Sequence, residues 1–142
     1  MSIDFGLPIP FVRELGFTLE KFEGGQSELC FAPRPEHRNS FGVTHGGAVM
    51  TLLDVSMAAA ARSARAGSRV ITIEMKTSFM RPAPAATLTA RGRLLHHTGS
   101  LAFAEGAVFD AEGNLCAQAS GTFKYVPLAK QHSQDQGALS TD

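Results

Sequence analysis

The stretch HGGAVMTLLDVSMAAAAR, residues 45–62, decides the fold of this 142-residue chain. After its two glycines it is rich in Ala, Leu and Met, and neither Pro nor Gly follows before Gly67, which predicts a helix. Its apolar residues do not keep to one stripe but point in nearly every direction around the helix axis. A helix with this pattern is buried on most of its sides. We therefore expect the other elements to surround one central helix.

The residues before this helix predict a short helix, a hairpin and a loop. Residues 8–15 (PIPFVREL) begin with proline and are followed by Gly16, which is placed to end a short helix. Residues 17–22 and 26–32 are strand-like and are separated by the turn sequence EGG, so they predict a hairpin. Residues 33–44 contain two prolines and a glycine and are expected to form a loop that enters the long helix.

Downstream of the helix, apolar and polar residues alternate with period two in four segments, which predicts four strands. The apolar members are Ile71, Ile73 and Met75; Leu88, Ala90 and Leu94; Leu101, Phe103, Ala107 and Phe109; and Leu115, Ala117, Ala119 and Phe123. In the first segment they alternate with Thr72, Glu74 and Lys76. Residues 110–114 (DAEGN) form a turn between the last two strands. The order predicts an α+β fold in which a curled antiparallel sheet of about six strands wraps around one long buried helix.

The composition is typical of one soluble globular domain. Hydrophobic residues make up 44% of the chain, and 13 basic residues balance 13 acidic ones. We assign residues 1–127 to a single domain and expect residues 128–142 to be a polar, disordered tail. Zero formal net charge argues against nucleic acid or anionic lipid as a partner. No segment approaches the ~18 apolar residues of a membrane span and the N-terminus does not resemble a signal peptide, so the protein is expected in the cytoplasm without a membrane partner.

Cys30 and Cys116, the two cysteines, lie far apart in apolar surroundings. Their spacing is not that of a metal site or a CxxC motif. Because free cysteine is among the most buried residue types, we expect both to be core thiols.

Asp54 conflicts with its surroundings, since Leu53 and Val55 flank it in the apolar helix. An unpaired carboxylate is costly to bury. Asp54 either lies on a polar edge of the helix or meets an arginine such as Arg62 or Arg81, or it is a general base with a perturbed pKa. Its position alone leaves these alternatives open.

The run His45-Gly46-Gly47 at the helix start leaves backbone N–H groups unobstructed near the positive end of the helix dipole. Such a site suits an oxyanion or a phosphate, although a tight helix entry also needs small residues. Gly46 and Asp54 are eight residues apart, which is about 12 Å along the helix. A base and an oxyanion donor must each come within about 3 Å of the reacting group. If both act on one acyl group, they belong to different chains, and the active protein is at least a dimer.

These residues resemble the hotdog-fold acyl-CoA thioesterases of the phenylacetyl-CoA thioesterase (PaaI-like) type. The resemblance covers residues 17–127. It rests on Asn39 in the loop, the run HGG at residues 45–47, Asp54, and the strand VITIEMKTSFMRP at residues 70–82.

The resemblance implies a role for each of five residues. Asp54 would be the general base or the nucleophile, and the Gly46 N–H would polarise the thioester carbonyl with help from Asn39. Thr72 would hold the attacking water beside Asp54. His45 would orient the loop and the acyl carbonyl.

The resemblance also implies an assembly and a substrate. The family places the aspartate and the glycine on opposite subunits of a homodimer, which is commonly doubled into a homotetramer. Coenzyme A would be part of the substrate and then a product, and no metal or organic cofactor would be needed. Gly47, Met80 and Arg81, and the turn at Gly99 and Ser100, would contact the substrate. The candidate cations for the coenzyme A phosphates are Arg62, Arg65, Arg69, Arg81, Arg91 and Arg93.

Two further functions stay open beside hydrolysis. One is a non-catalytic protein that binds or senses acyl-CoA; the other is a hotdog dehydratase of hydroxyacyl thioesters, which would use His45 as its base. The pairing of Asp54 with Gly46 favours hydrolysis. Phe41, Phe79 and Met57 are candidates either for an acyl pocket or for the core, so the acyl group can be aromatic or aliphatic.

Overall fold

The computed structural model describes residues 2–128, so the prediction of a disordered tail falls, apart from Leu128, outside the described residues. The helices are α1 (Pro10–Leu15) and α2 (Gly46–Ser63), with a 3-10 turn at Pro35–His37. The strands are β1 (Thr18–Glu23), β2 (Gln26–Phe31), β3 (Ser68–Phe79), β4 (Leu88–His97), β5 (Leu101–Phe109) and β6 (Leu115–Pro127).

The six strands form one antiparallel sheet in the order β1-β2-β4-β5-β6-β3, and α2 contacts all six of them. This arrangement confirms the predicted α+β hotdog fold. Strands β1 and β3 are the two edges of the sheet. Part of the β1 edge is covered by a bridge from Ile3 to Leu19, whereas within residues 2–128 nothing pairs with the outer edge of β3.

Helix α2 lies very close to the sheet. A Cβ atom on Gly92 of β4 would stand 2.2 Å from the Ser56 carbonyl oxygen, so only glycine fits there. Ser27 Oγ of β2 donates a hydrogen bond of 2.6 Å to the same oxygen. The buried residues of the helix are Val49, Leu52, Leu53, Ser56, Met57, Ala59, Ala60 and Ala61. The sheet thus encloses the helix on most sides, as its sequence predicted.

Strand β5 turns its smaller residues towards α2. Ala102, Ala104 and Val108 are buried, while Leu101 and Phe109 of the larger alternating set are half-buried on the outer face. The close approach of the helix explains why the smaller side chains occupy the inner face of β5, because bulky side chains would not fit between the helix and the sheet.

Strand β3 contains a β-bulge between Thr72 and Glu74 that breaks the regular alternation. Thr72 pairs with Phe123 and Met75 pairs with Gly121, both on the inner face of the sheet. The alternation in the sequence grouped Thr72 with Glu74 and opposite Met75, and this grouping is wrong. The extra residue of the bulge shifts the later side chains by one face.

The cysteine prediction is half right. Cys116 is buried, but Cys30 is only half-buried. Leu29 and Phe31, its neighbours in β2, are fully buried, so the period of two turns Cys30 to the outer face.

Within residues 2–128 no helix combines the length and the apolar character that crossing a bilayer requires.

Candidate active site

Asp54 lies in a cavity of about 380 Å³ between α2, β3 and the N-terminal residues. Its Oδ1 accepts a hydrogen bond of 2.7 Å from Thr72 Oγ1. Burial raises the pKa of the Asp54 carboxyl, and the Thr72 hydroxyl opposes part of this rise by favouring the ionised form. In the described part of the chain no arginine forms an ion pair with Asp54. The carboxylate is therefore half-buried, uncompensated by a cation and open to the cavity, which suits a general base.

Gly46 lies in a different cavity, of about 530 Å³, at the N-terminus of α2. As the first residue of the helix it has no intrahelical acceptor, and its N–H has no acceptor elsewhere in residues 2–128. Asn39, Phe79, Met80 and Arg81 line the same cavity. This N–H is available to a ligand oxygen.

His45 caps the helix beside this cavity. The His45 Nδ1 accepts a hydrogen bond of 2.8 Å from the Gly47 N–H. The backbone N–H of His45 donates to the His37 carbonyl oxygen. The His45 Nδ1 thus serves as the acceptor that caps the first turn of α2. The cap occupies the Gly47 N–H and leaves that of Gly46 free of any acceptor in the described chain.

Asn39 holds its own loop. Its Oδ1 accepts hydrogen bonds from the N–H groups of Phe41 and Val43, at 2.9 and 3.2 Å. The Asn39 Nδ2 makes no hydrogen bond within residues 2–128, so it remains a second donor at the cavity of Gly46.

The structure therefore divides the predicted site residues into two half-sites within one chain. Asp54 and Thr72 form the base half-site, and the donor half-site contains Asn39 and Gly46. The substrate residues Met80 and Arg81 also line the donor half-site. The turn at residues 99–100 lines neither, because it lies at the other end of α2, where Arg65 donates to the Gly99 carbonyl oxygen.

Four of the six candidate phosphate-binding arginines have partners. These contacts are Arg62 to the Phe5 carbonyl oxygen, Arg65 to the carbonyl oxygens of Thr98 and Gly99, Arg91 to Glu28, and Arg93 to Glu105. The guanidinium groups of Arg69 and Arg81 make no ion pair or hydrogen bond within residues 2–128, although the positive charge of Arg81 interacts with Asp110. Arg69 lines the cavity of Asp54 and Arg81 lines that of Gly46, so each half-site has one available cation.

The three candidate pocket residues divide between the core and the donor half-site. Met57 is fully buried against the sheet and belongs to the core. Phe41, which is 87% exposed, and Phe79 line the cavity of Gly46.

The N-terminal residues that line the base half-site were not predicted from the sequence. Phe5, Leu7, Pro8 and Ile9 line the cavity of Asp54. They precede the first periodic segment, so no pattern assigned them to the site.

Within residues 2–128 no three His, Cys, Asp or Glu side chains converge as metal ligands would. The chemistry that the described residues offer is that of a carboxylate base and two backbone or amide donors.

Residues 41–117, more than half of the chain, match the family model of the thioesterase superfamily. The chain belongs to that superfamily, and the predicted enzyme class, a thioester hydrolase, is confirmed at this level.

Among curated relatives, the medium/long-chain acyl-CoA thioesterase YigI of Escherichia coli is 25% identical over 131 residues, covering 81% of this chain and 84% of YigI. The protein SSO1253 of Saccharolobus solfataricus is 29% identical over 122 residues, which cover 86% of this chain and 80% of SSO1253. Among solved structures, the conserved protein PA5202 of Pseudomonas aeruginosa superposes with a TM-score of 0.80 at 26% identity, covering 84% of this chain and 95% of that one. The PaaI protein of the E. coli phenylacetic acid degradation operon shares the fold. It superposes with a TM-score of 0.76 at 20% identity, covering 82% of this chain and 83% of PaaI.

Proposed function

We propose that the protein hydrolyses an acyl-CoA to the free acid and coenzyme A. The observation that carries this proposal is the Asp54 carboxylate, which is half-buried beside an apolar cavity, has a raised pKa and is held by Thr72. Such a carboxylate can take a proton from water near neutral pH.

In the proposed reaction Asp54 removes a proton from a water molecule, whose oxygen attacks the thioester carbonyl carbon. The C–S bond breaks, and the thiolate of coenzyme A leaves with the electron pair and is protonated. Direct attack by the Asp54 carboxylate, followed by hydrolysis of the anhydride, is the alternative route to the same products. Both routes require Asp54 in its ionised form.

The Gly46 N–H binds the carbonyl oxygen as negative charge develops on it, and the Asn39 Nδ2 is the second donor. The absence of an acceptor for either group in residues 2–128 supports this role. A preformed donor is most effective when it is directed at charge that appears only in the transition state. His45 acts indirectly, since its cap on Gly47 fixes the first turn of α2.

The active unit in this proposal is a homodimer, in which the base half-site of one subunit meets the donor half-site of the other. Support comes from the eight-residue separation on α2 and from β3, a 12-residue edge strand. Ile71 and Ile73 on this strand are 55% and 54% exposed. A long, apolar, unpaired edge favours association with another strand. Pairing of two β3 strands would cover it, and a further doubling to a homotetramer stays a prediction.

The proposed substrate class is aromatic or medium- to long-chain acyl-CoA. YigI is named for medium- and long-chain substrates, and the PaaI protein comes from the phenylacetic acid degradation operon. Arg69 and Arg81 are the proposed cations for the phosphates of coenzyme A. A thiolate is a good leaving group, so a base and a polarised carbonyl suffice without a metal or organic cofactor. The cytoplasmic location stays a prediction.

Release of free thiol tests the proposal. Wild type and Asp54→Asn are compared on acetyl-, butyryl-, decanoyl-, palmitoyl-, phenylacetyl- and benzoyl-CoA with a thiol-reactive dye. We expect turnover of at least one ester, with kcat lowered about a hundredfold to ten-thousandfold in Asp54→Asn. Glu105→Gln, a carboxylate change on the outer face of the sheet, serves as the control and should keep full turnover. If wild type binds the esters saturably but hydrolyses none of them, the proposal is contradicted. That result would indicate a non-catalytic protein that binds or senses acyl-CoA.

A further inference from the structure

Residues 3–9, which we call the N-terminal strap, are anchored to the rest of the chain at two points and held internally by a third hydrogen bond. The Ile3 N–H donates to the Leu19 carbonyl oxygen at 2.6 Å, and Arg62 Nη2 donates to the Phe5 carbonyl oxygen at 2.8 Å. Gly6 is left-handed, with φ of 81°, and its N–H donates to Asp4 Oδ1. The strap is therefore fixed to both β1 and α2.

The strap separates two cavities. The front cavity, of about 380 Å³, contains Asp54 and Thr72, and the rear cavity has a volume of about 270 Å³. The strap residues that line both cavities are Phe5, Leu7, Pro8 and Ile9. The rear cavity is completed by the apolar side chains of Ile3, Val12, Phe17 and Leu19, together with the polar residues Ser2, Asp4, Arg13 and Thr18. The strap side chains thus lie between the cavity beside the base and a second, partly apolar cavity behind it.

The front cavity suits an acyl group. Besides the polar residues Asp54, Thr72, Arg62 and Arg69, its walls are the strap and the apolar residues Val55, Ala58, Ala59 and Val70. When a thioester carbonyl lies against Asp54, its acyl substituent is within reach of these walls, and burial of methylene groups there is favourable. The small side chains of Ala58 and Ala59 leave the necessary space.

We propose that the N-terminal strap is the specificity-determining wall of the acyl pocket, and that Leu7 and Phe5 set the length of the acyl chain which the pocket accepts. This proposal rests on the proposed thioesterase function and adds to it the element that selects the substrate. Arg62 helps to hold this wall through its hydrogen bond to the Phe5 carbonyl oxygen, and its side chain also lines the front cavity. Truncation of a wall side chain would join the front cavity to the rear one and lengthen the pocket.

The test compares kcat/KM over straight-chain acyl-CoAs from butyryl to palmitoyl for wild type, Leu7→Ala and Phe5→Ala. For acyl chains longer than the length that wild type prefers, we expect each added methylene to raise kcat/KM of Leu7→Ala and Phe5→Ala by up to about fourfold relative to wild type. This is the gain that burial of one methylene group predicts. Activity towards short chains should stay close to that of wild type, because Asp54 is untouched. Ile3→Ala is the matched control, since Ile3 lines the rear cavity but not the front one.

Two further measurements keep the outcomes distinct. Thermal unfolding shows whether a variant is folded, and calorimetric binding of non-hydrolysable S-alkyl-CoA thioethers gives the chain-length preference without turnover. An unchanged chain-length profile in both wall variants would overturn the proposal while the thioesterase function stands. If wild type hydrolyses no ester, the thioesterase proposal fails, and the thioether profile still decides whether the strap limits the pocket.

Discussion

Thr72 Oγ1 donates a hydrogen bond of 2.7 Å to Asp54 Oδ1, and this bond joins edge strand β3 to the buried helix α2. Thr72 lies on the inner face of β3, just before the bulge that shifts the later side chains of this strand. The bond leaves Asp54 Oδ2 for a water molecule or a substrate. It also sets the ionisation of the base, because a donor to the carboxylate favours the charged form.

Removal of this bond should shift the pH dependence of the enzyme. Burial raises the pKa of Asp54 and Thr72 lowers it, so Thr72→Val raises it further. Because the base must be ionised, activity is lost as pH falls through this pKa. We expect the acid limb of the kcat/KM profile to move to higher pH in Thr72→Val and to stay in place in Thr72→Ser. An unchanged acid limb, or one that moves to lower pH, would show that the Thr72 hydroxyl does not lower the pKa of Asp54.

Gly46 should tolerate a side chain but not the loss of its N–H. A Cβ atom there would lie 3.5 Å from the Phe79 ring, an ordinary contact, so Gly46→Ala should keep most activity. Gly46→Pro removes the N–H at the first helical position, where proline is well accepted. His45, with φ −61° and ψ 136°, already has the backbone conformation that a following proline requires. We expect kcat to fall about a hundredfold to a thousandfold in Gly46→Pro. Equal activity of the two variants would remove Gly46 from the mechanism.

Asp54→Asn should not weaken the fold at neutral pH. A carboxyl whose pKa is raised by folding binds its proton more tightly in the folded state, so its ionisation lowers stability as pH rises through that pKa. Asparagine retains an acceptor for Thr72 and carries no charge. We expect the Tm of Asp54→Asn to equal or exceed that of wild type at pH 7, and any difference to shrink as pH falls below the raised pKa. A Tm well below that of wild type at pH 7 would show that the charge stabilises the fold.

Gly92→Ala should disturb the placement of α2 on the sheet. The added methyl would lie 2.2 Å from the backbone oxygen of Ser56, which cannot move without the helix. Overpacking of this kind costs about 1–3 kcal/mol, so we expect a clear fall in Tm. At Gly106 the nearest atoms belong to the side chains of Met57 and Ser56, at 3.2 and 3.3 Å, which can adjust. Gly106→Ala should therefore lose less stability than Gly92→Ala; the reverse order would contradict this packing.

Most of the fold was predictable because its strongest features are local. The Ala- and Leu-rich composition and unbroken length of α2 identified the helix, and Asp54 stood out as a charge among apolar neighbours. The eight-residue separation of Gly46 and Asp54 predicted that one chain cannot bring both to one carbonyl group, and in the structure the two residues line different cavities. These inferences need only propensity, periodicity and helix geometry.

The features that could not be predicted depend on tertiary contacts. A bulge has no reliable signal in one sequence, so the face of Thr72 was assigned wrongly. Cys30 was placed in the core because free cysteine is usually buried, whereas its position in β2 follows from the alternation with Leu29 and Phe31, which face the helix. The N-terminal strap has no periodicity, since its place is fixed by a backbone bond to Leu19 and by Arg62 from a distant part of the chain.

The shared active site can be tested most directly by complementation between two inactive chains. Asp54→Asn and Gly46→Pro are co-expressed with different tags, and the mixed dimers are isolated by both tags in turn. If each site combines Asp54 of one subunit with Gly46 of the other, one of the two sites in a mixed dimer is intact, and about half of wild-type activity returns. If each chain contains its whole site, both sites carry a defect and no activity returns. We expect the mixed dimers to recover about half of wild-type thioesterase activity. Mixed dimers as inactive as their two parent variants would contradict a shared active site.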